Sequence, residues 1–114
     1  MIAVAEFVNT IVAETQPYAG PERRCEPRYN VVMSAPAQPL DDSFHAVGEK
    51  FLAITRSLSN GGICFYYTKP IPQKYVAMQL ANSSGEIITV VVEIRRCIAR
   101  GTLFEIAGKF IERL

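Results

Sequence analysis

The chain has 114 residues, and 49% of them are hydrophobic, which excludes a disordered chain and fits one domain with a modest core. Its net charge of +1 argues against a general nucleic-acid coat, which needs a broad basic excess, so any anion site must be local. Cys25, Cys64 and Cys97 are widely and irregularly spaced and His45 is the single histidine, a set that supplies neither close-paired zinc ligands nor a secreted disulfide framework; reduced thiols in a cytosolic protein are the expectation.

The chain opens with MIAVAEFVNTIVAETQP. This stretch has no basic leader and carries Glu6 inside its apolar run, so it does not read as a signal peptide. It is too short and too polar to span a membrane, and no membrane insertion is expected. Val4, Phe7, Val8, Ile11 and Val12 recur at helical spacing, with Glu6, Thr10 and Glu14 on the other side. The pattern predicts an amphipathic helix from residue 2 to about 15, packed on the domain or against a second copy in a homodimer. A membrane-surface helix would want Lys or Arg on its polar face, and this one has only acids.

Residues 17–28 follow as a loop. Pro17, Pro21 and Pro27 break the backbone, so Arg23, Arg24 and Arg28 sit on a flexible strap. Beyond it the texture is β. Tyr29 to Ser34 reads as a short strand, and APAQPLDDS as a proline-rich connection. Residues 48–58 alternate as a strand, SNGG turns, and ICFYYT returns as a second, β-branched and aromatic strand. KPIPQ interrupts, YVAMQLA is another strand and NSSGE another turn. Ile88, Val90, Val92 and Ile94 then form one apolar face; Arg96 breaks the alternation and marks a bulge. ARGT turns the chain into LFEIAGKF, and KFIERL reads as a last strand residue followed by one helical turn. About six short strands with short links make residues 29–114 an antiparallel barrel or sandwich, so the domain is mainly all-β.

Enzyme chemistry finds little support. His45 lies in a loop after Asp41 and Asp42, with no nucleophile elbow, phosphate loop or dinucleotide fingerprint. Cations beside Cys25 would lower its thiol pKa, but a local charge effect is not a catalytic site. The chain is expected to be no enzyme and to hold no cofactor or metal. Tyr66 and Tyr67 read as ordinary strand residues, and Arg95, Arg96 and Arg100 as a solvated strand end.

Two segments carry the remaining signal. Arg24 and Arg28 are separated by three residues, and guanidinium suits bidentate phosphate contacts and stacking on planar bases. Alone, the pair is a basic linker. Ser59 offers a hydroxyl, and Gly61 and Gly62 let a ligand or another backbone approach closely. Alone, that is a hairpin turn. In this order before and within a β-domain, Arg24-Cys25-Glu26-Pro27-Arg28 and Ser57-Leu58-Ser59-Asn60-Gly61-Gly62 resemble the PilZ family, whose pattern is R-x-x-x-R and then [D/N]-x-S-x-x-G. The resemblance runs from about residue 22 to 112, leaving the N-terminal helix outside it.

The resemblance implies a six-stranded antiparallel β-barrel that binds cyclic di-GMP, with Arg24 and Arg28 clamping the ligand, Ser59 hydrogen-bonding and Gly62 permitting close approach. Arg23 is implied as a further phosphate or stacking contact. Ser57 stands where the family has Asp or Asn, and a hydroxyl lacks the two-oxygen acceptor of a carboxylate. Arg56, just before the motif, could reach a phosphate but is not counted among the site residues. The implied role is a cytoplasmic second-messenger receptor acting on a protein effector, without DNA or RNA as partner. The alternative is a ligand-free PilZ-like adaptor of a motility or pilus system.

Overall fold

The computed structural model describes residues 4–12 and 28–114. Arg23, Arg24 and Cys25 lie outside the described residues, as does most of the predicted 17–28 loop. One helix, α1 (Val4–Val12), precedes seven strands: β1 (Tyr29–Asn30), β2 (Ser34–Leu40), β3 (Phe51–Leu58), β4 (Gly62–Tyr67), β5 (Tyr75–Ala81), β6 (Ile87–Arg100) and β7 (Leu103–Arg113).

Six of these strands close on themselves. The order is β3-β2-β5-β6-β7-β4, and β4 pairs back onto β3, so the sheet is an antiparallel barrel. Closure removes most free sheet edges. The short β1 lies outside the ring, with Tyr29 opposite Leu58 and Asn30 opposite Ser57 at the end of β3.

Alternation decides what fills the barrel. Ile63 and Phe65 of β4, Ile88, Val90 and Val92 of β6, and Ile106 and Phe110 of β7 point inward and are buried together. Phe7, Val8 and Val12 of α1 join the same core, with Phe7 only 1% exposed. A nine-residue helix is marginal alone, so its stability comes from this apolar face, about 1.5–3 kcal/mol for each large side chain fully buried. The face predicted for packing is thus spent on the chain's own barrel. A side-chain bond from Asn82 Nδ2 to Thr10 Oγ1 (3.0 Å) ties the helix to the β5–β6 turn.

A smaller cluster lies outside the barrel. Leu40, Ala77 and Val91 are buried there beneath Phe44 and Tyr75, whose rings meet edge-on at 5.0 Å. Asp41 shapes the connection, because its Oδ1 accepts from the backbone N–H of Ser43 (2.8 Å) and His45 (3.0 Å). Those bonds favour the ionised carboxyl and hold its pKa below the usual carboxylate value.

Three local expectations need correction. Ala35–Leu40, read as part of the proline-rich connection APAQPLDDS, belongs to strand β2. Its first half pairs with β3 (Pro36 opposite Leu52) and its second with β5 (Pro39 opposite Val76). Each proline therefore has a ladder partner on one side, and its missing N–H can face the other. Tyr29–Ser34 is not one strand. Thr55 interrupts it: its hydroxyl donates to the Val31 carbonyl and accepts from the Met33 N–H (2.9 Å), so a side chain replaces ladder pairing there. The chain end predicted as a helical turn is extended instead. Glu112 and Arg113 pair with Val91 and Val90, and the Leu114 N–H reaches the Thr89 carbonyl at 2.9 Å. The predicted bulge near Arg96 is present, with the β6–β7 register shifting between Ile94 and Arg96. Beyond Glu93, β6 has no strand partner on its far side among the described residues, and Arg95, Arg96 and Arg100 lie along that stretch, a charge pattern that opposes edge-to-edge association. No helix among the described residues is long and apolar enough to cross a membrane.

Candidate functional site

The outer face of β3, β4 and β7 carries a polar pocket, and a bulge builds it. Thr55 opposes Phe65, but Ser57 opposes Cys64, so Arg56 is an extra residue in β3. The bulge lets Arg56 and Ser57, adjacent in sequence, both reach the outer side. Ser57 is 4% exposed and lines the pocket beside Cys64, which is also buried. Across the ladder, Cys64 opposes Ala107 and Ile63 opposes Gly108.

Pairing of β1 with β3 brings Arg28 over this surface. Its Nη2 donates to Ser57 Oγ at 2.9 Å. The hairpin that follows is tight: the Ser59 N–H reaches the Gly62 carbonyl (3.0 Å), and the Gly62 N–H donates to Ser59 Oγ (3.1 Å). Ser59 lines the pocket, and its hydroxyl proton has no acceptor among the described residues. A Cβ on Gly62 would stand 2.5 Å from the Gly108 carbonyl oxygen, so the close approach at Gly62 is that of the β7 backbone. Gly108 is equally confined, against Val92 Cγ1 and the Glu93 carbonyl.

Arg28, Ser57, Ser59 and Gly62 thus surround one pocket, together with Ile63, Cys64, Ala107 and Gly108. Its cavity volume is about 40 Å³, room for the edge of a ring or a small anionic group rather than a whole nucleotide. Of the predicted site residues, Arg23 and Arg24 fall outside the described chain. Sequence reasoning did not place Ala107 and Gly108 at the site. The signal was there, since two small residues inside a strand that reads FEIAGKF mark a close approach.

A charged network borders the pocket. Glu105 of β7 has a side chain only 8% exposed, and its carboxylate meets Arg56 Nη1 at 3.4 Å, Arg100 Nη2 at 3.6 Å and Tyr66 Oη at 3.5 Å. Arg56 also lies beside the Cys64 side chain. Partial burial pulls the Arg56 pKa down, but Cys64 and Glu105 outweigh it and the group is held more firmly charged. Burial pushes the Cys64 thiol up, and Glu105 adds to this against the opposing arginines, so the pocket wall presents a neutral thiol.

No family model matches the sequence, and no curated protein matches it. Solved structures do match. The Bacillus subtilis inhibitor of motility, MotI/DgrA, aligns with a TM-score of 0.61 at 17% identity, over 82% of this chain and 45% of that one. A complex of K. pneumoniae MrkH with c-di-GMP aligns at 0.56 and 19% identity, over 80% and 44%. MrkH described as a c-di-GMP-dependent transcription regulatory factor aligns at 0.51 and 16%, over 78% and 43%. At these identities the likeness shows the fold alone, the six-stranded antiparallel barrel that the resemblance implied. The chain spans less than half the length of each of these proteins.

Proposed function

We propose that this domain is a cyclic di-GMP receptor. The observation that carries the reading is convergence: Arg28, Ser57, Ser59 and Gly62, taken from two separate motifs, surround one outer pocket on a barrel whose fold is shared with MrkH, a protein solved in complex with c-di-GMP. Arg28 supplies a planar, permanently charged donor fork for a phosphate or a guanine edge. Ser59 donates its free hydroxyl proton. Arg24 and Arg23, from the preceding segment, complete a clamp over the rest of the ligand, which is too large for the pocket itself.

Binding and ordering are coupled. Fixing each residue of the arginine segment costs about 1–2 kcal/mol, so contacts must exceed that cost before affinity appears. Ser57 removes one charge-assisted acceptor that Asp or Asn would offer or approximate, worth about 1.5–3 kcal/mol for a charged group. The surplus is small, and affinity rests on the arginines. An ordered segment then presents a different surface to an effector protein.

A second reading, a ligand-free adaptor, draws on a different observation. Leu52 and Ile54 of β3 are exposed on the outer surface, and Val32 before β2 is 78% exposed. Such residues can seat a protein partner whether or not a nucleotide binds. Calorimetric titration of the full chain with cyclic di-GMP decides between the two. The receptor reading expects saturable heat that Arg28→Ala weakens strongly; no heat at hundreds of micromolar ligand, on the order of a binding energy below about 5 kcal/mol, leaves the adaptor.

A further inference from the structure

We propose that Arg56 is a further ligand-contacting residue, held beside the pocket wall by Glu105 and directed at a phosphate oxygen of the bound dinucleotide. The inference rests on the receptor reading above and adds to it a cation that neither motif contains.

The bulge in β3 is the first observation. Without the extra residue, the side chains at 56 and 57 would face opposite sides of the sheet. With it, Arg56 comes to the outer side beside Cys64, a wall of the pocket, without itself lining the pocket, while Ser57 does line it. The second observation is the anchor. Glu105 is a buried carboxylate, and it receives Arg100 and Tyr66 as well as Arg56. A carboxylate held from three sides does not wander, and so the guanidinium on it is fixed as well. The third is what remains unused. A guanidinium has five N–H donors, and Arg56 keeps a side chain 41% exposed, so it retains donors for a ligand while anchored.

Chemistry favours this role at this place. Position 57 is a hydroxyl and brings no charge, whereas a dinucleotide brings two phosphates. A pre-positioned guanidinium beside Ser57 meets one of them with little ordering cost of its own. Glu105 is then a positioning residue, acting only through Arg56.

The test is titration of cyclic di-GMP into wild-type, Arg56→Ala, Arg56→Gln, Glu105→Gln and Arg56→Ala/Glu105→Gln proteins, each with a thermal melt. Arg56→Ala is expected to weaken binding about tenfold or more and to flatten its salt dependence. Glu105→Gln should weaken binding less, and the double variant should bind no worse than Arg56→Ala alone. A purely structural ion pair would lower the melting temperature and leave the affinity of the folded protein and its salt dependence unchanged, which overturns the proposal while the receptor reading stands. If Arg56→Ala does not fold, Arg56→Gln, similar in length and uncharged, decides by the same affinity criterion. Wild-type protein that gives no heat overturns the receptor reading, and this inference with it.

Discussion

The two faces of β4 and β7 are built from alternate residues of the same short segments, yet they obey different rules. Inward, Ile63, Phe65, Ile106 and Phe110 need only be apolar and fit. Outward, Cys64, Tyr66, Glu105 and Ala107 are partly or wholly covered by polar neighbours and must satisfy specific bonds. The inner face holds the barrel together through burial, which is non-directional. The outer face contributes little net stability, because buried charges lose in desolvation much of what they gain in attraction.

Breaking the inner face should therefore produce the largest effect. Phe65 is fully buried, and Phe65→Ala is expected to cost about 3–5 kcal/mol, a large share of the stability of a domain this size. Chemical denaturation measures it. Cyclic di-GMP affinity of whatever remains folded should hardly change, because the ring points away from the pocket. Loss of affinity in protein that is still fully folded would break the division between the faces.

The outer face should respond in the opposite sense. Arg28→Ala removes the donor to Ser57 and is expected to weaken ligand binding about ten- to a hundredfold while shifting stability by no more than about 1 kcal/mol. Calorimetry paired with denaturation reads both quantities on one protein. Ser57→Asp is a sharper and smaller test. It places a carboxylate within reach of Arg28 and restores the acceptor of the family pattern, and it should tighten binding by up to about tenfold. Weaker binding by Ser57→Asp would mean that the new carboxylate holds Arg28 away from the ligand.

The same division explains what the sequence could and could not reveal. Periodicity is a local property, so α1, the approximate places of the strands from β3 to β7 and the apolar face of β6 were legible from spacing alone. Arg28, Ser57, Ser59 and Gly62 were named from two ordered motifs, and the fold gathers them about one pocket. β2 was not, because Pro36 and Pro39 punctuate most chains, and only the staggered pairing with β3 and β5 makes them harmless here. The extended end of β7 was hidden for a related reason: the segment reads as helical locally, and its pairing with Val90 and Val91 is long-range. The Arg56–Glu105 pair is a product of the β3–β4–β7 pairing and the bulge, and no local spacing announces it.

The smallest expected effect separates two places on the outer side itself. Cys64 is a buried thiol in the pocket wall, while Cys97 is exposed on the open edge of β6. The reactive species is the thiolate, and burial with Glu105 nearby raises the Cys64 pKa above its ordinary value, so less thiolate forms there at a given pH. Alkylation at pH about 8, followed by mass spectrometry of the two peptides, should modify Cys97 promptly and Cys64 only at the rate at which the barrel opens. Neither modification at Cys97 nor its replacement by serine should alter ligand affinity. Cys64 reacting as fast as Cys97 in folded protein would mean that this wall is open to solvent and would erase the distinction between the two places.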